Sequence, residues 1–163
     1  MVSSNTSTEK MTVEHVTIRS SNTFAAVKAA LETSVPRLDD GYVALLRFGL
    51  ADRARQELEA AATLSIFGFR NHGELLAIAG LKRQAIQYDI GNPLTASLMT
   101  RHKVSAALYA PIRVLLRESP KGEVAFEYDR PASTFGQFGD ESVDIVARKL
   151  DENLANVLRK AAA

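Results

Sequence analysis

The sequence predicts an α+β domain, and three observations predict it. Glu123 to Asp129 alternates cleanly, with Val124, Phe126 and Tyr128 on one face against Glu123, Ala125, Glu127 and Asp129 on the other. Ser119-Pro120-Lys121-Gly122 is a four-residue turn of hairpin type, so the apolar segment that ends at Glu118 returns antiparallel. From Asp140 onward, Val143, Val146, Ala147, Leu150, Leu154, Val157 and Leu158 form a continuous stripe at helical spacing. Antiparallel strands followed by a long amphipathic helix argue for an α+β sandwich, not a doubly wound parallel sheet.

The remaining elements follow in order. Residues 12 to 19 alternate as a strand, with Val16 and Ile18 on one face. Ser20, Ser21 and Asn22 offer caps for a helix from Thr23 to about Ser34, striped by Phe24, Val27 and Leu31 and followed by Pro36. Tyr42 to Phe48 is short and apolar and is taken as a strand. Asp52 caps a helix running to about Ala62, whose charges read as a solvated face. Leu64 to Arg70 reads as a strand with Phe67 and Phe69 on one face and Leu64 and Ile66 on the other, hence covered on both sides. Glu74 to Ala79 is a helical turn or two, closed by Gly80, and Gln84 to Ile90 is the next strand. Val104 to Glu118 is long for one strand, and Pro111 removes a ladder donor within it, so a bulge, bend or edge position is expected there. Pro131 to Gly139 is read as a loop carrying Phe135 and Phe138, and Asp140 caps the final helix.

Composition sets the outer limits. The chain has 163 residues, enough for one domain with a real core; residues 12–163 are expected to form it behind a disordered tail at 1–11. That Ser/Thr-rich tail has no apolar core and does not read as a signal peptide. Twenty basic and 19 acidic residues leave a net charge of +1, so neither a nucleic-acid partner nor a membrane is expected. There is no cysteine, which excludes disulfides, thiolate metal sites and cysteine catalysis, and fits a cytoplasmic protein. The three histidines, His15, His72 and His102, have no ligand spacing, so no metal is expected, and no cofactor is indicated. There is no Gly-rich phosphate loop and no G-x-S-x-G elbow.

The chain turns most sharply at Gly91-Asn92-Pro93, where a strand runs directly into a helix. Asn92 suits the N-cap, Pro93 suits the first helical position, and Gly91 suits a tight corner. The N–H groups at such a start also make a weak anion site. Two polar constellations lie around it. In the first, His72 ends one strand while Tyr88 and Asp89 lie on the next; a His held by a carboxylate can act as general acid or base, or His72 only closes a loop. In the second, Arg101 and His102 follow the helix, and Tyr109 and Arg113 lie on the long apolar segment opposite Glu127. Arg113 is either a carboxylate clamp or the partner of Glu127 in a cross-strand ion pair. Arg101-His102 also complements a helix C-terminus.

Gly91-Asn92-Pro93, Leu98-Met99-Thr100-Arg101-His102, the run Ala107 to Leu115 through Pro111, and Tyr128-Asp129-Arg130-Pro131 together resemble the domain of unknown function 302 family. Asn71-His72-Gly73 is similar to a His-bearing turn in one branch of it. The resemblance runs over roughly residues 64 to 135; the stretch from Gly41 to Ala62 departs from it. It implies a curved antiparallel sheet with helices packed on one face, similar to the TATA-binding-protein-like architecture, and a homodimer. The functional expectation is a small-molecule site, an anionic ligand included, in a cleft between sheet and helices, lined by His72, Tyr88, Asn92, Arg101, His102, Tyr109 and Arg113. The alternatives are an enzyme using His72 or His102 with Asp89 or Glu127 as orienting partner, and a purely structural dimerisation module.

Overall fold

The computed structural model describes residues 4–163, so the first three residues of the expected tail lie outside the described residues. Residues 4 to 14 form no helix or strand. The elements run β1 (His15–Ser20), α1 (Phe24–Ser34), α2 (Gly41–Arg47), α3 (Ala51–Ala60), β2 (Ser65–Asn71), α4 (His72–Leu76) and β3 (Ala85–Gly91). Then come α5 (Pro93–Thr100), a 3-10 stretch (Val104–Tyr109), β4 (Ile112–Glu118), β5 (Val124–Asp129), α6 (Pro131–Gly136) and α7 (Glu141–Ala162).

The five strands form one open antiparallel sheet in the order β1-β5-β4-β3-β2. One face is apolar: Ile86, Tyr88 and Ile90 lie opposite Leu116, Val114 and Ile112, Leu116 and Val114 lie opposite Phe126 and Tyr128, and Val124 extends the same face. It packs against α1 through Phe24, Val27 and Leu31, and against α7 through Val143, Ala147, Leu150, Leu154 and Leu158. The other face carries interleaved charges: Arg117 bridges to Glu127 at 2.6 Å, Arg70 to Asp89 at 2.9 Å, and Arg19 to Glu123. One apolar and one solvated face is what an antiparallel sheet with helices on a single side requires.

The ends of the helices are chemically specified. Asp140 accepts from the N–H groups of Ser142 and Val143 and starts α7 as expected. Thr23, not the three residues before it, caps α1 by accepting from Ala26. Asp52 lies in the first turn of α3 and is not its cap; there its charge complements the helix dipole.

Four expectations are corrected. Tyr42 to Phe48 is helix α2 and not a strand: a seven-residue apolar run has no period that separates the two states, and no buried residue ties it into the sheet. The single long strand from Val104 is instead a 3-10 stretch, a cis Ala110–Pro111 peptide and then β4. Its pattern is helical, with Ala106 buried while Val104 and Leu108 are 80% and 78% exposed. Pro131 to Gly136 is a helix, entered through Pro131 at its first turn, which buries Phe135 completely. Finally, a bulge between Ile66 and Gly68 breaks the alternation of β2. Ile66 pairs with Ile90 and Phe69 with Tyr88, so residues three apart share a face. β2 is an edge strand, and Phe67 and Phe69 stay 38% and 44% exposed within the chain.

Candidate functional site: the Gly-Asn-Pro corner

β3 leaves the sheet at Gly91 and α5 begins two residues later. The Asn92 side-chain oxygen accepts from the N–H groups of Leu94 at 2.8 Å and Thr95 at 3.2 Å. Its carbonyl accepts from Ala96 at 3.0 Å, and Pro93 has no N–H. The N–H groups of Leu94, Thr95 and Ala96 are therefore all taken up by Asn92 and are not offered to an anion. The Asn92 amide donates in turn to the carbonyls of Ala62 and Thr63, at 3.4 and 3.2 Å, and ties α5 to the chain entering β2. Gly91 has no positive φ, and a Cβ there would stand at ordinary contact distance, 3.4 Å from Pro111 and 3.5 Å from Phe67, so neither the backbone nor the packing demands glycine.

Between this corner and the end of the sheet lies a cavity of about 300 Å³. Ile90, Gly91 and Ile112 form its sheet wall, Thr95, Ala96, Met99 and Thr100 of α5 its helix wall, and Phe67, Pro111 and Leu150 its ends. Tyr42 of α2 reaches into it. Burial, with the charge of Asp40 adding, pushes the Tyr42 phenol up, so it remains a protonated donor. Among the described residues no charged side chain lines this cavity. Its polar atoms are the hydroxyls of Tyr42, Thr95 and Thr100, with Asn92 and Ser97 engaged in the helix's own bonds.

The seven residues expected to line one cleft are not brought together. Only Asn92 borders the corner cavity. His72 opens α4 beyond Asn71, which pairs with Ile86, whereas Gly91 pairs with Ser65. Five residues of β3 thus separate the two, about 17 Å of strand. Tyr88 is fully buried on the helix side and donates to Glu32 at 2.9 Å; burial, then Glu32, pushes its phenol far up. Asp89 points to the opposite face, to Arg70, so it cannot meet Tyr88. Arg101 and His102 are exposed just past α5. Tyr109 and Arg113 do share a second cavity, of about 280 Å³, which meets the first at Pro111 and Ile112. The hairpin register sets Leu115 opposite Glu127, with Arg113 and Arg117 each one diagonal step away, and it is Arg117, not Arg113, that bonds Glu127.

Sequence reasoning missed Tyr42, Phe67 and Leu150. No local signal marks them, since they reach the corner only through the packing of α2, β2 and α7. Pro111 was visible as the break in an apolar run.

The likeness to known proteins is consistent with this geometry. A crystal structure of an uncharacterized conserved protein DUF302 from Bacillus stearothermophilus superposes with a TM-score of 0.66 over 90% of this chain and 97% of that one, at 16% identity. At that identity it shows the fold alone. No curated protein matches the sequence at a significant level. The family described as Domain of unknown function DUF302 matches residues 49–161, which takes in α3 through almost all of α7 and the whole Gly-Asn-Pro corner, so residues 49–62, expected to depart from the family, lie inside the match. By that match over more than half its length, the chain belongs to the DUF302 family.

Proposed function

We propose that the chain is a small-molecule-binding domain whose site is the corner cavity between the sheet and α5. The observation that carries this is the lining itself: an apolar pocket of about 300 Å³ with a fringe of hydroxyls and, among the described residues, no charge. That is the lower end of the size range of ligand pockets, which combine apolar walls with a few polar groups. The ligand body is therefore small and apolar, oriented by hydroxyls such as that of Tyr42. Ala96→Leu tests it by filling the cavity from the helix wall with a good helix former. An apolar probe such as 1-octanol, titrated by calorimetry or observed by NMR, binds the wild type and binds the variant at least about tenfold more weakly, the factor for about 1.4 kcal/mol. Equal binding to both places the site elsewhere.

The exposed Phe67 and Phe69 on the edge strand β2, whose outer edge is paired by residues 36–38 at Ile66, favour a homodimer as a second feature. Light scattering on Phe69→Lys checks it: the variant is monomeric where the wild type is dimeric. The general acid–base reading finds less support. Among the described residues the only His–carboxylate approaches are those of His15, 3.3 Å from Asp129 and 3.6 Å from Glu127, on the open face of the sheet.

A further inference from the structure

We propose that the molecule held at the corner is a monocarboxylic acid with an apolar body, and that Arg113 receives its carboxylate in the second cavity, across Pro111. The proposal rests on the corner-cavity reading and names its ligand class.

Three observations carry it. The two cavities adjoin, because Pro111 and Ile112 line both. They differ in chemistry: the first is uncharged, whereas the second contains Arg113 beside Tyr109, Leu108 and Met11. Third, Arg113 lies in a register that should have neutralised it and does not. Its cross-strand neighbour on β3 is Asp89, whose carboxylate binds Arg70 at 2.9 Å instead. Asp129 lines the same cavity from β5, but its carboxylate approaches His15 at 3.3 Å. Among the described residues Arg113 has no salt bridge, although it sits among acids.

A guanidinium fork matches a carboxylate through two parallel N–H···O bonds. Arg113, like its neighbour Asp89, faces away from the helix side of the sheet, so a molecule whose body fills the first cavity reaches the fork by passing round Pro111 at the start of β4, and an apolar body with one anionic end fits that path. The nearby Asp89 and Asp129 limit that end to a single charge, since a dianion such as a phosphate meets two carboxylates for one cation. Tyr109, whose hydroxyl faces Met11 at 3.6 Å, walls this cavity from the side of the N-terminal segment.

The test compares octanoate, 1-octanol and octylamine on the full chain by calorimetry. The expected result is octanoate binding about tenfold more tightly than octanol, as for one charge-assisted contact at a partly exposed site. Octylamine binds more weakly than either. Arg113→Gln brings octanoate down to the affinity of octanol, Arg113→Lys restores part of the preference, and Ala96→Leu weakens both ligands. Arg113 is exposed, so an unchanged melting temperature confirms that each Arg113 variant is folded. Octanol binding that depends on Ala96, with no preference for the acid or none that Arg113→Gln removes, overturns this inference and leaves the cavity reading intact. Failure of all three ligands to bind the wild type overturns both.

Discussion

Asn92→Ala tests the corner most directly, because one side chain there makes four contacts. It removes two acceptor contacts, to the N–H groups of Leu94 and Thr95, and two donor contacts, to the carbonyls of Ala62 and Thr63. Loss of an N-cap costs about 1 kcal/mol. The two donor contacts are long, at 3.2 and 3.4 Å, and lie at the edge of the solvent, so together they add about 1 kcal/mol more. The sum of about 2 kcal/mol corresponds to a fall in melting temperature of about 4–8 °C for a chain of this size. Asn92→Asp separates the two parts. Aspartate keeps the cap and adds a charge that the helix dipole favours, but it cannot donate to residues 62 and 63. It should therefore lose about half as much. Denaturant melts of the three proteins decide the matter: an alanine variant within about 0.5 kcal/mol of wild type, or an aspartate variant as unstable as the alanine one, refutes the account of the corner.

Three further outcomes follow from the packing. Gly73→Ala places a Cβ 2.5 Å from the backbone carbonyl of Arg83 and 3.2 Å from the N–H of Ala85, so it should cost about 1–3 kcal/mol, read as a shift in denaturant midpoint. Leu154→Ala opens a cavity under the centre of α7, where the side chain is fully buried, and should cost about 2–5 kcal/mol by the same measurement. Tyr88 keeps its proton in the folded state well above the pH at which an unfolded tyrosine ionises, through burial first and the bond to Glu32 second. At alkaline pH the unfolded chain then binds fewer protons than the folded one, and stability falls as pH rises past about 10. Tyr88→Phe should lose that part of the decline; wild type and variant falling in parallel between about pH 8 and 11 would contradict it.

What could be read from the sequence depended on how local each signal was. α7, the β4–β5 turn and the Asn92-Pro93 helix start are specified by residues within one or two turns of one another, and all three stand in the structure. The α2 segment fails that condition: Tyr42 to Phe48 is apolar throughout, and its helical state follows from lying outside the sheet with no strand to pair with. The bulge at Ile66–Gly68 is likewise a property of a pair of strands, invisible in either alone. The candidate site suffers most, because it is assembled from ends of elements distant in the chain. Tyr42, Phe67 and Leu150 converge only after the fold exists. Polar residues drew attention by their type, yet Tyr88 and Asn92 already spend their polar groups on Glu32 and on the α5 cap.

That expenditure also fixes the geometry of the corner. The N–H groups of Leu94, Thr95 and Ala96, which a helix start would offer an anion, are taken up by Asn92. What the cap achieves instead is position: α5 is pinned to the chain entering β2 through residues 62 and 63. The cavity is the space left between these fixed walls, and α2, with no buried residue of its own, supplies only Tyr42 to it. Any charge a ligand carries must then be met elsewhere, and the adjoining cation without an ion-pair partner among the described residues is Arg113, beyond Pro111. The corner sets the shape of the cavity, and the neighbouring strand β4 carries the cation beside it.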